Sequence, residues 1–335
     1  CGAWVAAEPN SAFAHLSRAI AFMATNSGNP AEDLDRAIQL NPRYAEAYAT
    51  RAYYRRYWML FDGAANDLEQ AFRFGISDKK IEQSARNELT IVQGGQKCFH
   101  GSPTEGVLFC GAIVAGIKAA KNLGKEPPYS VHMMRPLLGR LGIAEFETGA
   151  YDLALEAFQN LDEARELYGE QYGGLWDCKW SYYWGQTYRQ KGDVQRAFDK
   201  FYHCDNGSET DPSIRSKVDD ALGLIWLERM QLRTAIDYFE HAIRDAPADS
   251  SSIGDVATYL VHRGIGYFLQ GDLNKAMTEV KAALTKNPRE AQALYVLGVI
   301  EQRNGDASGS AIDMFAATRV QPDIATVMEK MGIKP

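Results

Sequence analysis

Amphipathic helical patterning flanks a Gly-Asp dipeptide on both sides at Gly192-Asp193, Gly271-Asp272 and Gly305-Asp306. A turn that returns at fixed phase between two such helices predicts an array of helical hairpins. The residue types around each turn fit close helix pairing. Small residues recur in the first helix of each pair, at Gly142, Gly185, Gly223, Gly264 and Gly298, where they let the antiparallel neighbour approach. Ala154, Ala197, Ala235 and Ala276 do the same from the second helix, and Phe158, Phe201 and Phe239 fill the space beside them. Pro42, Pro247, Pro288 and Pro322 are placed to end second helices, since proline lacks a donor and disfavours helix in the residue before it.

The in-phase positions Leu141-Gly142, Tyr151, Ala154 and Phe158, with Trp184-Gly185, Tyr188, Ala197 and Phe201, resemble the tetratricopeptide repeat (TPR), a helix-turn-helix unit of about 34 residues. The same register continues through Gly264, Tyr267, Ala276, Ala283 and Pro288, and through Leu297-Gly298, Ala317 and Pro322. The expected fold is therefore all-α, a superhelical solenoid of antiparallel helix pairs. Units are expected at about 10–42, 45–78, 135–168, 178–211, 216–249, 257–290 and 291–324. In the second, Met59-Leu60-Phe61 replaces the Gly-containing turn; the first requires one extra residue near Asn26-Ser27-Gly28-Asn29-Pro30. Residues 79–130 depart from the pattern and read as a divergent helical hairpin, and 325–335 as a capping helix.

In the TPR family one stripe of the first helices lines a concave groove. Transferred residue by residue, that stripe is Tyr53, Arg56, Tyr57, Phe146, Tyr182, Gln186, Arg189, Leu224, Leu227, Ile265, Phe268, Tyr295 and Arg303. It is apolar and aromatic with isolated arginines. The resemblance therefore implies a groove for a helix or extended apolar peptide rather than a clamp for a terminal carboxylate. The alternative is that neighbouring repeats or terminal segments cover these residues. Trp180, Trp184 and Tyr188 fall on a different stripe, assigned to packing between neighbouring hairpins.

Charge and cysteine usage narrow the partner class. The net charge of -7, from 36 basic and 43 acidic side chains, provides no basic field, so nucleic acid is not an expected partner. The longest uncharged apolar stretch, Gly106 to Ile117, is too short for a membrane span of roughly 20 residues. Cys1-Gly2 at the start of the numbering resembles the N-terminus of a processed bacterial lipoprotein, which implies acylation of Cys1 and residues 1–9 as an anchor segment. In that family Gly rather than Asp after the cysteine favours the outer membrane, facing the periplasm. The remaining cysteines fall into two local pairs, Cys98 with Cys110 and Cys178 with Cys204, which an oxidising compartment would join. The first pair brackets Phe99-His100-Gly101-Ser102-Pro103, read as a stapled surface loop; the second would tie two helices of one hairpin. A zinc site using His100 or His203 is the rival, but no Cys-x-x-Cys or His pair at ligand spacing occurs.

No phosphate-binding Gly-Lys-Ser loop, His-Glu-x-x-His helix or Gly-x-Ser-x-Gly elbow is present, so no catalytic residue, metal or cofactor is expected. The sequence reads as a non-enzymatic scaffold or assembly factor: an outer-membrane TPR lipoprotein that binds a protein of an envelope assembly or secretion machine in its groove. The alternative is a periplasmic component that holds a small apolar ligand and passes it to a transporter. A deep closed cavity would favour the carrier and an open groove the scaffold.

Overall fold

A computed structural model describes residues 2–25, 27–122, 134–168, 178–205, 211–248 and 252–335. Cys1 lies outside them, as do the ends of three expected units at 123–130, 206–210 and 249. The described residues form helices and turns, divided between two compact units, Cys1–Tyr172 and Gly173–Pro335. No described helix is long and apolar enough to cross a membrane.

The first unit contains α1 (Gly2–Ala7), α2 (Ala12–Thr25), α3 (Pro30–Leu40), α4 (Ala45–Tyr57), α5 (Phe61–Phe74), α6 (Lys79–His100), α7 (Pro103–Asn122), α8 (Met134–Glu147) and α9 (Tyr151–Tyr168). The second contains α10 (Cys178–Gln190), α11 (Val194–Asp205), α12 (Pro212–Glu228), α13 (Leu232–Asp245), α14 (Ile253–Gln270), α15 (Leu273–Lys286), α16 (Ala291–Arg303), α17 (Ala307–Val320) and α18 (Ile324–Lys330). Within each unit successive helices pair as antiparallel hairpins, α2 with α3 and α4 with α5 in one, α12 with α13 through α16 with α17 in the other. Each unit is a stack of helical hairpins, the α6–α7 pair of the first being longer than the rest.

The Gly-Asp dipeptide performs two tasks. Gly192, Gly271 and Gly305 adopt left-handed φ of 77°, 88° and 86° just past the first helix, where a side chain is strained. Asp193, Asp272 and Asp306 then cap the second helix, each accepting from a backbone N–H three residues on, in Arg196, Lys275 and Gly309. Met59 and Met230 take the same left-handed place at φ 58° and 57° without glycine's freedom. The small-to-large register also has a direct cause. A Cβ on Gly142, Gly185 or Gly223 would fall 2.7, 2.4 or 2.5 Å from the ring of Phe158, Phe201 or Phe239 in the partner helix. All three rings are fully buried.

The divergent segment differs from the stapled loop expected for it. Phe99 and His100 complete α6, Pro103 opens α7, and the connection between them is Gly101-Ser102 alone. The Cys98–Cys110 disulfide therefore joins two packed helices, and both cysteines are fully buried. Cys178 and Cys204 form the second bridge, between α10 and α11. Trp184 and Tyr188 are likewise buried, with Lys200 and Arg196 of α11 over their rings, so their own hairpin covers them.

Candidate functional site

In the first unit the inner helices α2, α4 and α6 lie side by side. Ala47, Ala49 and Ala52 turn the inward face of α4 to its neighbours. The i, i+4 pair Tyr53 and Tyr57 leaves that helix on its open side, 47% and 37% exposed. Two adjoining clefts result, both bordered by Met23 and Tyr53. The first, about 380 Å³, is walled by Ile20, Ala49, Ile81 and Ala85, with Thr50, Ser84, Lys80 and Glu88 as its polar groups. The second, about 360 Å³, runs under Phe22, Tyr54, Tyr57 and Trp58 to the turn at Gly28. Gly28 is left-handed, and a Cβ there would lie 2.8 Å from the Phe22 ring. Trp58 meets Tyr57 edge-on with ring centres 5.6 Å apart, and Tyr54 at 6.4 Å, giving this cleft an aromatic wall.

Beneath the clefts Arg56 donates from Nε to the Glu88 carboxylate and lies under the Tyr53 ring, 4.8 Å from its centre. Both partners of the ion pair are buried. Burial pushes the Glu88 carboxyl upward, and the Arg56 guanidinium pulls it back. Removing either charge would strand the other, so the pair fixes α4 against α6 and sets the position of Tyr53.

The transferred groove stripe separates by unit. Tyr53 and Tyr57 line the clefts, while Arg56 turns inward to Glu88. Phe146 is half-buried against Tyr151 of its own hairpin, 5.6 Å between ring centres. In the second unit the stripe does not form an exposed lining. Leu227, Ile265, Phe268 and Tyr295 are each no more than 5% exposed and belong to one core cluster with Ile324, Met328 and Ile333, against which Leu224 packs. Arg303 lies over the Phe268 ring at 4.3 Å and donates to the Lys334 carbonyl, tying the C-terminal tail across this face. Tyr182 and Gln186 are half-buried, with burial pushing the Tyr182 phenol strongly upward, and Arg189 pairs with Glu228. Covering by neighbouring helices and the terminal segment, the alternative left open above, is what the second unit does.

Ile20, Phe22, Met23, Trp58, Lys80 and Ile81 belong to the clefts and were not on the transferred stripe. Ile20 and Met23 stand about one repeat length before Tyr53 and Tyr57, a signal hidden by the extra residue in the first turn. Lys80 and Ile81 fall in the segment with no repeat match. Among the described residues no group of three or more His, Cys, Asp or Glu side chains could hold a metal ion.

No protein-family model matches this chain, and no curated protein matches it in sequence. Solved structures similar to this chain include a crystal structure of MamA, 17% identical with a TM-score of 0.41, covering 56% of this chain and 97% of that one. A MamA RS-1 ArsTM double mutant is 18% identical with a TM-score of 0.42, over 58% and 97%. YrrB, described as a TPR protein with an unusual peptide-binding site, is 19% identical with a TM-score of 0.41, over 59% and 91%.

Proposed function

We propose that this protein is a non-enzymatic interaction scaffold that receives an apolar segment of a partner protein in the paired clefts between α2, α4 and α6. The observation that carries the reading is the contrast between inner faces. Tyr53 and Tyr57 stay open where Phe268 and Tyr295 are sealed, and Ile20 and Trp58, 49% and 53% exposed, extend the open surface on either side. Exposed aromatic clusters that a fold leaves uncovered are favourable anchors for a partner, each commonly contributing about 2 kcal/mol or more to binding. Two open clefts walled by half-exposed rings favour a partner segment over a small ligand held in a closed cavity.

The same reading places the chain as a lipoprotein of the outer membrane, facing the periplasm, with Cys1 acylated and the partner part of an envelope assembly or secretion machine. The two disulfides, which persist in oxidising compartments, support the periplasmic part of it. Intact-mass measurement of the natively expressed protein tests the anchor, and a mass equal to the bare polypeptide overturns it. The scaffold is tested by affinity purification of wild type and a Tyr53→Ala/Trp58→Ala variant from native membranes, with thermal melts alongside. A partner retained by wild type and lost by the equally stable variant supports the reading; equal retention by both, or none by either, refutes it.

A further inference from the structure

We propose that the segment received by the clefts carries a carboxylate beside the apolar side chain that enters the first cleft, and that Lys80 recognises it. This rests on the scaffold reading above. The two clefts are chemically unlike in one respect. Among the described residues no charged side chain lines the second, whereas the first has two, Lys80 and Glu88. Glu88 is matched by Arg56 in the buried pair, so its charge is spent within the protein. Lys80 is exposed on the opening turn of α6 and makes no ion pair among the described residues.

Asp78 and Glu82, which flank Lys80 in the chain, are already engaged, as is Glu46 beside Ser77. The Asp78 carboxylate caps α6 by accepting from the backbone N–H groups of Lys80 and Ile81. Glu82 pairs with Arg86, and Glu46 accepts from the backbone and hydroxyl of Ser77. Lys79 stands beside Lys80, and the N-terminal end of a 22-residue helix adds its partial positive charge. Lys80 thus stands at the rim of the first cleft as its one charged side chain without an ion-pair partner among the described residues, on a protein whose net charge is -7. A segment with apolar anchors for both clefts and one acidic residue satisfies both walls and this rim in a single orientation, with the acidic end over α6. Charge at such a rim sets orientation and discrimination more than affinity, because the pair stays in solvent.

The test uses the whole protein and three fluorescent amphipathic helical peptides of identical apolar face, whose flanking residue is Glu, Gln or Lys. Binding is followed by anisotropy at low and high salt. The Glu peptide is expected to bind roughly fivefold more tightly than the Lys peptide at low salt, with the preference fading at high salt as exposed charges are screened. Lys80→Glu should reverse the order of the Glu and Lys peptides and shift the Gln peptide least, while Tyr53→Ala weakens all three. If the peptides bind with equal affinity but still depend on Tyr53, the role of Lys80 is refuted and the scaffold reading stands. If none binds, or binding ignores Tyr53→Ala, both fail.

Discussion

Glu145 is a carboxylate that the fold buries, and replacing it tests the packing of the α8–α9 hairpin directly. The residue is 7% exposed, and its Oε2 has no hydrogen-bond partner among the described residues. Burial pushes its pKa from 4.5 up to about 7, and the Glu156 carboxylate of α9 adds a smaller push in the same direction. An acid whose pKa is higher in the folded state binds its proton more tightly there than in the unfolded chain. Glu145 therefore costs nothing below about pH 4, where both states hold the proton, and destabilises progressively as pH rises through the window from 4.5 to about 7. Above that window the penalty is constant. The gap corresponds to a ceiling of about 3 kcal/mol. Relaxation around the hairpin and water near exposed Glu156 reduce the expected effect to about 1–2 kcal/mol.

Equilibrium urea unfolding of wild type, Glu145→Gln and Glu156→Gln across this range measures it. Glu145→Gln should match wild type near pH 4, gain through the window and hold its full advantage at pH 8, because the amide retains the shape of the protonated acid without the charge. Since burial is the larger cause, Glu156→Gln should recover less than half of that advantage. Parallel stability profiles for wild type and Glu145→Gln at every pH would refute the argument. They would mean that water or an ionic partner reaches the carboxylate.

Gly185→Ala would drive a Cβ to 2.4 Å from the buried Phe201 ring, and overpacking at such a contact should cost about 1–3 kcal/mol in thermal or chemical denaturation. Met230→Gly relieves a left-handed backbone at a side chain that is 63% exposed, and the same denaturation assay should register a gain of about 0.5–1 kcal/mol after glycine's extra entropy loss. The Cys98→Ala/Cys110→Ala variant opens a bridge of sequence separation 12 and should lose about 2–3 kcal/mol, with thiol titration of denatured wild type finding both cysteines oxidised.

The repeat was legible in the sequence because its determinants are local. A glycine that must turn left-handed, an aspartate that caps the next helix, and a glycine facing a phenylalanine sixteen residues later are each confined to one hairpin, so their spacing appears directly in the chain. The cysteine pairs were legible for the same reason, although only the packed structure put Cys98 and Cys110 in helices and reduced their loop to Gly101-Ser102.

Helical periodicity could assign Tyr53 and Phe268 to inner faces, but the fate of those faces depends on what covers them. Phe268 and Tyr295 are closed by α16, α18 and the tail to Ile333, while Tyr53 keeps an open cleft because Ile81 and Ala85 of α6 wall it without filling it. Arg56 and Glu88 are 32 residues apart, and no repeat spacing links them. Their contact, the exposure of Tyr53 and the burial of Glu145 follow from how helices distant along the chain stack. The spacing of local residues set the hairpins and their turns, and tertiary packing decided which inner surface stayed exposed.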